Sequence, residues 1–96
     1  MKVVYTDEAI ENLAGILDYT ASHYPTVYGA LLTRLRSVIA RIREWPDSAP
    51  EVVGRPGVRV VPLIRYPYRV FYRNTGEAIE IMHIHHAAQD DPGAGS

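Results

Sequence analysis

The chain has 96 residues, which is short enough that we expect one domain over residues 1–90 followed by a flexible tail over residues 91–96. It contains no cysteine, which excludes disulfides and thiolate metal sites, and no apolar run of signal-peptide or membrane-span length, so we expect a cytoplasmic protein without membrane contact. The net charge of −1 disfavours non-specific nucleic-acid binding, but residues 34–73 carry nine arginines against three acidic residues, which favours a local anionic target or an acidic protein partner.

The first half of the chain predicts a strand followed by two helices. Residues 2–5 are β-prone, and Thr6 is placed to cap a helix with two acidic residues in its first turn, where the helix dipole favours them. Apolar residues then recur at spacings of three and four until Pro25. A second and stronger helical period begins at Tyr28 and ends at Pro46. Because the connection is short, we expect an antiparallel helix pair.

The second half predicts a long loop and then three strands. Residues 46–57 contain three prolines and two glycines, which is typical of a loop. The β-branched and aromatic runs that follow predict strands over residues 58–65, 68–73 and 77–86, with a tight turn at 74–76. The predicted fold class is therefore α+β, in the order β-α-α-β-β-β, with an antiparallel helix hairpin packed on a small, mainly antiparallel sheet.

Side-chain alternation assigns the residues of the last two strands to opposite faces of the sheet. In the first of these strands, one face carries Tyr68, Val70 and Tyr72, and the other carries Arg69, Phe71 and Arg73. In the second strand, one face carries Ile79, Ile81, His83 and His85, and the other carries Glu80, Met82, Ile84 and His86. Both faces are mixed, so the pattern leaves open which histidine is exposed. The i, i+2 spacing of His83 and His85 suits a metal ion, but with no cysteine and with Glu80 on the other face we expect no metal site and no cofactor.

Several segments in a fixed order resemble one bacterial family. They are Trp45-Pro46 at a helix end, Gly57-Val58-Arg59 entering a strand, Tyr68-Arg69-Val70-Phe71-Tyr72-Arg73, and Ile79-Glu80-Ile81-Met82-His83-Ile84-His85-His86. Over residues 2 to 90 the chain resembles the RelE/ParE superfamily of toxins, and it is more similar to the ParE branch, whose members share a YRV-x-Y-R strand and a strand of the form I-x-I-L-x-V-x-H. The segment after His86 departs from this pattern. ParE-like chains often carry basic residues there, whereas this chain reads Ala87-Ala88-Gln89-Asp90-Asp91.

The resemblance implies the toxin of a type II toxin-antitoxin pair. A ParD-like antitoxin would hold it inactive in a hetero-oligomer that contacts DNA through the antitoxin, and the free toxin would poison DNA gyrase. Two alternatives remain open: a RelE-like endoribonuclease that cuts messenger RNA on the ribosome, or an attenuated toxin that acts mainly as a co-repressor partner.

The candidate site residues differ between these hypotheses. A nuclease would use Glu51 as base, Arg69 or Arg65 as phosphate clamp and His86 or His85 as acid, since the lysine-rich catalytic set is absent: Lys2 is the only lysine. The alternative role for His86 is a strand-end histidine bonded to the backbone, and for Arg69 a cross-strand partner of Glu77 or Glu80. The candidates for the gyrase contact are Arg59, Arg65, Arg69, Arg73, Tyr72 and His86, and those for the antitoxin contact are Leu13, Leu17, Leu31 and Leu35.

Overall fold

Two helices lie against one face of a five-stranded sheet in the computed structural model, which describes residues 1–88; the predicted tail at 91–96 lies outside the described residues. The elements are β1 (Lys2–Tyr5), α1 (Asp7–His23), α2 (Tyr28–Glu44), β2 (Glu51–Val52), β3 (Arg55–Pro62), β4 (Tyr68–Asn74) and β5 (Ala78–His86). The α+β class and the order of the predicted elements are confirmed. The prediction missed β2, a two-residue strand inside the segment expected to be a loop, because so short a strand has no alternating pattern to recognise.

The strands are arranged in the order β1-β5-β4-β3-β2. β1 runs parallel to β5, and the other neighbouring pairs are antiparallel, as expected for a mainly antiparallel sheet. β1 pairs only with the first half of β5, because its last residue, Tyr5, lies opposite Ile81. The second half of β5 therefore lies beyond the end of β1.

Local sequence signals account for the helix boundaries. Thr6 caps α1 by accepting a 3.0 Å hydrogen bond from the backbone N–H of Ala9, and Pro25 follows the helix end. The strong apolar period of α2 places four side chains in the core, at Leu31, Leu35, Val38 and Ile42. Burial of this stripe against the sheet, rather than capping, stabilises α2, since its N-cap residue Val27 makes no side-chain cap hydrogen bond.

The sheet contributes the other half of the core from β4 and β5. Its largest fully buried side chains are Val70, Tyr72, Ile79 and Ile81, and Ile84 is 2% exposed. All five pack in one cluster with the apolar stripe of α2. This helix side of the sheet is therefore the apolar side, and β4 follows the alternation predicted for it.

A β-bulge in β5 overturns the alternation predicted for that strand. Phe71 pairs with His83, but the next residue of β4, Tyr72, pairs with Ile81, so Met82 is the additional residue. The bulge exchanges the faces of the following residues. Ile84 joins the buried isoleucines on the helix side, and His83 moves to the opposite side, which we call the open face.

Two side chains of the sheet anchor the loop between α2 and β2. The Tyr72 hydroxyl donates a 2.6 Å hydrogen bond to the carbonyl oxygen of Pro46. The Arg59 guanidinium donates to the carbonyl oxygens of Ala49, at 2.6 Å, and Asp47, at 3.2 Å. Burial raises the pKa of Tyr72 above its ordinary value of 10.0, an effect that the positive charge of Arg59 offsets only in part. The loop is thus held to the sheet by charged and phenolic donors.

Within the part of the chain that the structure describes, no helix combines the length and the apolar character that crossing a membrane would require.

Tyr72→Phe is expected to lower the free energy of unfolding by about 1–2 kcal/mol at neutral pH, because the Pro46 carbonyl loses its donor. The raised pKa adds a pH dependence. Above about pH 10 the unfolded chain releases the phenol proton before the folded chain does, so Tyr72 loses part of its stabilising effect as the pH rises towards its folded pKa. Urea denaturation should therefore show a smaller difference in the free energy of unfolding between wild type and variant at pH 10.5 than at pH 7. An equal difference at the two pH values would contradict the account.

Candidate functional site

The open face carries a cluster of charged and aromatic side chains at the middle of the sheet. We define this open-face cluster as Glu8, Arg55, Arg69, Phe71, His83 and His85. Its centre is Phe71, which is 4% exposed although it lies on the side away from the helices. The His83 ring lies against it at 4.5 Å between centroids, and the guanidinium carbons of Arg55 and Arg69 lie 5.8 and 6.0 Å from its centroid. These distances suit cation–π contacts.

Glu8 reaches the open face because α1 begins where β1 ends. The Thr6 hydroxyl donates a 2.5 Å hydrogen bond to the carbonyl oxygen of Met82. The backbone N–H of Thr6 donates a 3.0 Å hydrogen bond to the carbonyl oxygen of Ile81. One turn after Glu8, the Asn12 side chain accepts a hydrogen bond from the N–H of Ile84. The start of α1 therefore replaces a neighbouring strand along the second half of β5. This position brings a Glu8 carboxylate oxygen to 3.1 Å from His85 Nε2.

The contacts of His83 define its proton arrangement when the ring is neutral. An Arg55 guanidinium nitrogen lies 3.3 Å from His83 Nε2, and a guanidinium can only donate, so Nε2 accepts. The ring proton is then on Nδ1, which lies 3.9 Å from the Glu8 carboxylate. The buried His83 ring is thus held between a cation and an anion, and it stacks on His85 at 4.3 Å.

The residues proposed for a nuclease are not assembled as the sequence suggested. Arg69 lies opposite His85 on the open face, whereas His86 lies opposite Tyr68 on the helix side. Glu51 is on β2, two strands away from β4, and its carboxylate accepts a hydrogen bond from the N–H of Gly57. The combination of Arg69, His86 and Glu51 therefore has no common position for a phosphate.

The six residues proposed for gyrase contact are also divided between the two sides of the sheet. Arg69 and Arg73 are on the open face. The sequence had suggested that Arg69 pairs with Glu77 or Glu80, but it is Arg73 that makes a 2.8 Å ion pair with Glu80. Arg59 binds the α2–β2 loop, Arg65 is exposed in the β3–β4 turn, and Tyr72 is fully buried and offers no surface to a target. His86 accepts a hydrogen bond from the N–H of Ala88, as in the alternative of a backbone-bonded histidine.

A groove on the helix side has a volume of about 740 Å³. It lies between α1, the α1–α2 connection and the adjoining ends of β4 and β5, and its lining includes Gly15, Ile16, Tyr19, Tyr24, Leu31, Tyr68 and His86. Burial raises the pKa of Tyr68, and the neighbouring Tyr19 raises it further, so this phenol stays protonated at neutral pH and can donate a hydrogen bond. We call this cavity the helix-side groove.

Three of the four leucines proposed for antitoxin contact lie beside this groove rather than lining it. Leu13, Leu17, Leu31 and Leu35 share a small pocket of about 10 Å³. Leu31 is 2% and Leu35 7% exposed, so both belong to the core, whereas Leu13 and Leu17 are half-buried. Leu31 alone among the four also lines the larger groove.

Sequence reasoning missed Glu8, Arg55 and Phe71 as parts of the open-face cluster. Glu8 was explained by the helix dipole, and nothing in the local pattern places the start of α1 beside β5. One signal for the bulge was available. The core isoleucines follow spacings of two and then three, at Ile79, Ile81 and Ile84, and these can share one face only if the strand contains an additional residue.

Comparisons with known proteins show which folds and which family this chain resembles. The fold is similar to that of the chromosomal ParDE toxin-antitoxin system from P. aeruginosa, with a TM-score of 0.65 and 22% identity over 90% of this chain and 95% of that one. It is also similar to the isolated E. coli RelE toxin, with a TM-score of 0.63 and 15% identity over 98% of this chain and 92% of that one. No curated protein matches. The family model for the ParE toxin of type II toxin-antitoxin systems matches residues 3–91, and the chain therefore belongs to the ParE toxin family.

Proposed function

We propose that this toxin acts by binding DNA gyrase and stabilising a cleaved DNA–gyrase intermediate, and that a ParD-like antitoxin neutralises it in the cytoplasm. The observation that carries the proposal is the separation of Arg69 from His86 and Glu51. A phosphate clamp, an acid and a base must meet at one phosphate for RNA cleavage, and these three side chains lie on different faces or strands. Membership of the ParE family supports binding as the mode of action.

The open face is the surface that we assign to gyrase. Arg55, Arg69 and Arg73 are on or beside it, and Phe71 supplies an aromatic centre beneath two of these guanidinium groups. Arginines and aromatic side chains in well-packed patches are the residue types that dominate binding energy at protein interfaces. Arg65, exposed in the β3–β4 turn, extends the surface, whereas Arg59 supports the fold by holding the α2–β2 loop.

A second candidate function, RNA cleavage, is favoured by one specific observation. Arg69 and His85 lie opposite each other on the open face, and His85 contacts Glu8. Phosphate binding and proton transfer could therefore be combined there, although the lysine-rich catalytic set is absent because Lys2 is the only lysine. The two functions differ in their dependence on His85, which RNA cleavage requires as its acid.

The helix-side groove is the site that we assign to the antitoxin. Its occupant would be an apolar segment of the ParD-like chain, because Ile16 and Leu31 supply apolar lining while Tyr19, Tyr68 and His86 supply polar groups. The similarity to a ParDE system supports a partner of this kind. In such a hetero-oligomer, contact with DNA is made through the antitoxin.

Arg69→Ala and Arg73→Ala are expected to weaken inhibition of gyrase supercoiling. Loss of a hot-spot arginine costs roughly 2 kcal/mol, so the toxin concentration for half-inhibition should rise about tenfold or more. Arg36→Ala is the matched control, because this exposed arginine is on α2, away from the open face. The assay scores both residual supercoiling and accumulated cleaved DNA.

If the wild-type toxin neither inhibits supercoiling nor accumulates cleaved DNA, gyrase is not the target. Ribosome-dependent cuts in a transcript that are lost in His85→Ala but kept in His86→Ala would replace the proposal with RNA cleavage. Absence of both activities, together with normal growth when the chain is induced alone, would instead favour the attenuated co-repressor.

Gly15→Gln is expected to weaken antitoxin binding at least about tenfold without destabilising the toxin. Gly15 lines the helix-side groove, and a Cβ there meets nothing within 4 Å, so the new side chain begins in open space at the groove. Replacement of a helical glycine also favours the helix by a few tenths of a kcal/mol or more. Isothermal titration with the antitoxin and thermal unfolding of the free toxin measure the two effects.

Gly29→Gln is the control for this experiment. Gly29 is also an exposed helical glycine with open space around its Cβ position, but it is on α2 and does not line the groove. Equal antitoxin affinities for the two variants would show that the groove is not the docking site.

A further inference from the structure

Three ligand-bearing side chains converge beside the bulge of β5. The carboxylate of Glu8, a ring nitrogen of His83 and a ring nitrogen of His85 all lie within 4.8 Å of one another. Glu8 belongs to α1 and the histidines to β5, so the fold brings them together from distant parts of the chain. The sequence alone indicates the histidine pair but places Glu80 on the opposite face and offers no third ligand.

The distances are close to those of a bound transition metal. With zinc–ligand bonds of about 2.1 Å, neighbouring ligand atoms in a tetrahedral site lie about 3.4 Å apart. The Glu8 oxygen is 3.1 Å from His85 Nε2 and 3.9 Å from His83 Nδ1. All three ligand atoms lie within 4.8 Å of one another, and rotations of these side chains that shorten the longer separations would complete the geometry.

The accessibility of the ligands also suits an ion that arrives from solvent. The side chains of Glu8 and His85 are 56% and 30% exposed, whereas His83 is 9% exposed and held by the sheet. One rigid ligand and two accessible ligands leave a fourth position open to water. The combination of two imidazoles and one carboxylate favours a borderline divalent ion over calcium or magnesium.

Arg55 opposes metal binding at this position. Its guanidinium donates to His83 Nε2 and so keeps the ring proton on Nδ1, the atom that faces Glu8. Coordination through Nδ1 moves that proton to Nε2, which then has no lone pair for Arg55 to bond. The guanidinium has to turn away, and its positive charge repels the ion.

We propose that Glu8, His83 and His85 form a binding site for a divalent transition metal ion of the zinc class, and that Arg55 weakens it. Bound metal would join the start of α1 to the bulged half of β5 and would lie within the open-face cluster. The proposal depends on these side chains alone and holds whether or not gyrase is the target.

The test is a titration of the untagged full-length chain with Zn²⁺ by isothermal calorimetry, together with thermal unfolding. One Zn²⁺ per chain is expected, and at an excess of about 100 times the Kd the Tm should rise by at least about 4 °C. Glu8→Gln and His85→Ala should each reduce affinity at least about 100-fold, since even partners that only orient a ligand cost 10–100-fold. His85 also stacks on His83 and contacts Glu8, so thermal unfolding of each variant without metal is measured separately to show that it folds.

His86→Ala is the matched control, because the neighbouring histidine faces the helix side and should leave zinc affinity unchanged. A double replacement of Asp90 and Asp91 by Asn, outside the described residues, should also leave it unchanged. Arg55→Ala should tighten binding by about threefold or more as the repulsion is removed. No binding up to about 1 mM Zn²⁺, or equal affinity in Glu8→Gln and wild type, would overturn the site; unchanged or weaker binding in Arg55→Ala would overturn the role of Arg55.

Discussion

The bulge at Met82 is the constraint on which the arrangement of the sheet depends. It allows Ile79, Ile81 and Ile84 to share the core while it places His83 and His85 on the open face. Thr6 holds it, because its hydroxyl both donates to the Met82 carbonyl and caps α1. One threonine thus couples the start of a helix to the irregular point of a strand. Without this insertion, strict alternation would bury two imidazoles among isoleucines, which is costly for polar rings.

The sheet separates the two surfaces that we assign to partners, and the bulge decides which side chains of β5 face each of them. The open face is rich in arginine and histidine around Phe71, whereas the helix-side groove is lined by apolar and phenolic groups. An antitoxin segment in the groove and a target on the open face would contact opposite sides of the sheet. Neutralisation by such an antitoxin would then require either a second contact that wraps around the sheet edge or a change in the sheet on binding.

A toxin that binds its target needs no convergence of acid, base and phosphate clamp, whereas a toxin that cleaves RNA does. The placement of Arg69 and His86 on opposite sides of the sheet is compatible with binding.

Most of the architecture could be predicted from the sequence, because it follows from strong local patterns. The apolar period from Tyr28 to Trp45 predicts α2, and the caps and prolines predict where both helices end. Alternation in β4 correctly assigns Tyr72 to one face and Arg69 to the other. The short strand β2 could not be predicted, since it exists only through its pairing with β3.

The open-face cluster could be predicted only in part, for reasons that are not local. The bulge leaves a weak trace in the spacing of the isoleucines, but the position of Glu8 depends on where α1 runs along β5. Arg55 joins the cluster from β3, across β4 from His83. Such positions result from the packing of whole elements, and no short window of sequence contains them.

The most direct test of the account is a nuclear Overhauser experiment on the aromatic and methyl protons of the free toxin. The bulge predicts cross-peaks from the Phe71 ring to the rings of both His83 and His85, whose centroids are 4.5 and 6.0 Å away, and from the methyl groups of Ile84 to Leu31. Cross-peaks from the His83 ring to Leu31 or Leu35, with Ile84 contacting Phe71 instead, would show that β5 is regular and would contradict both the open-face cluster and the functions assigned to it.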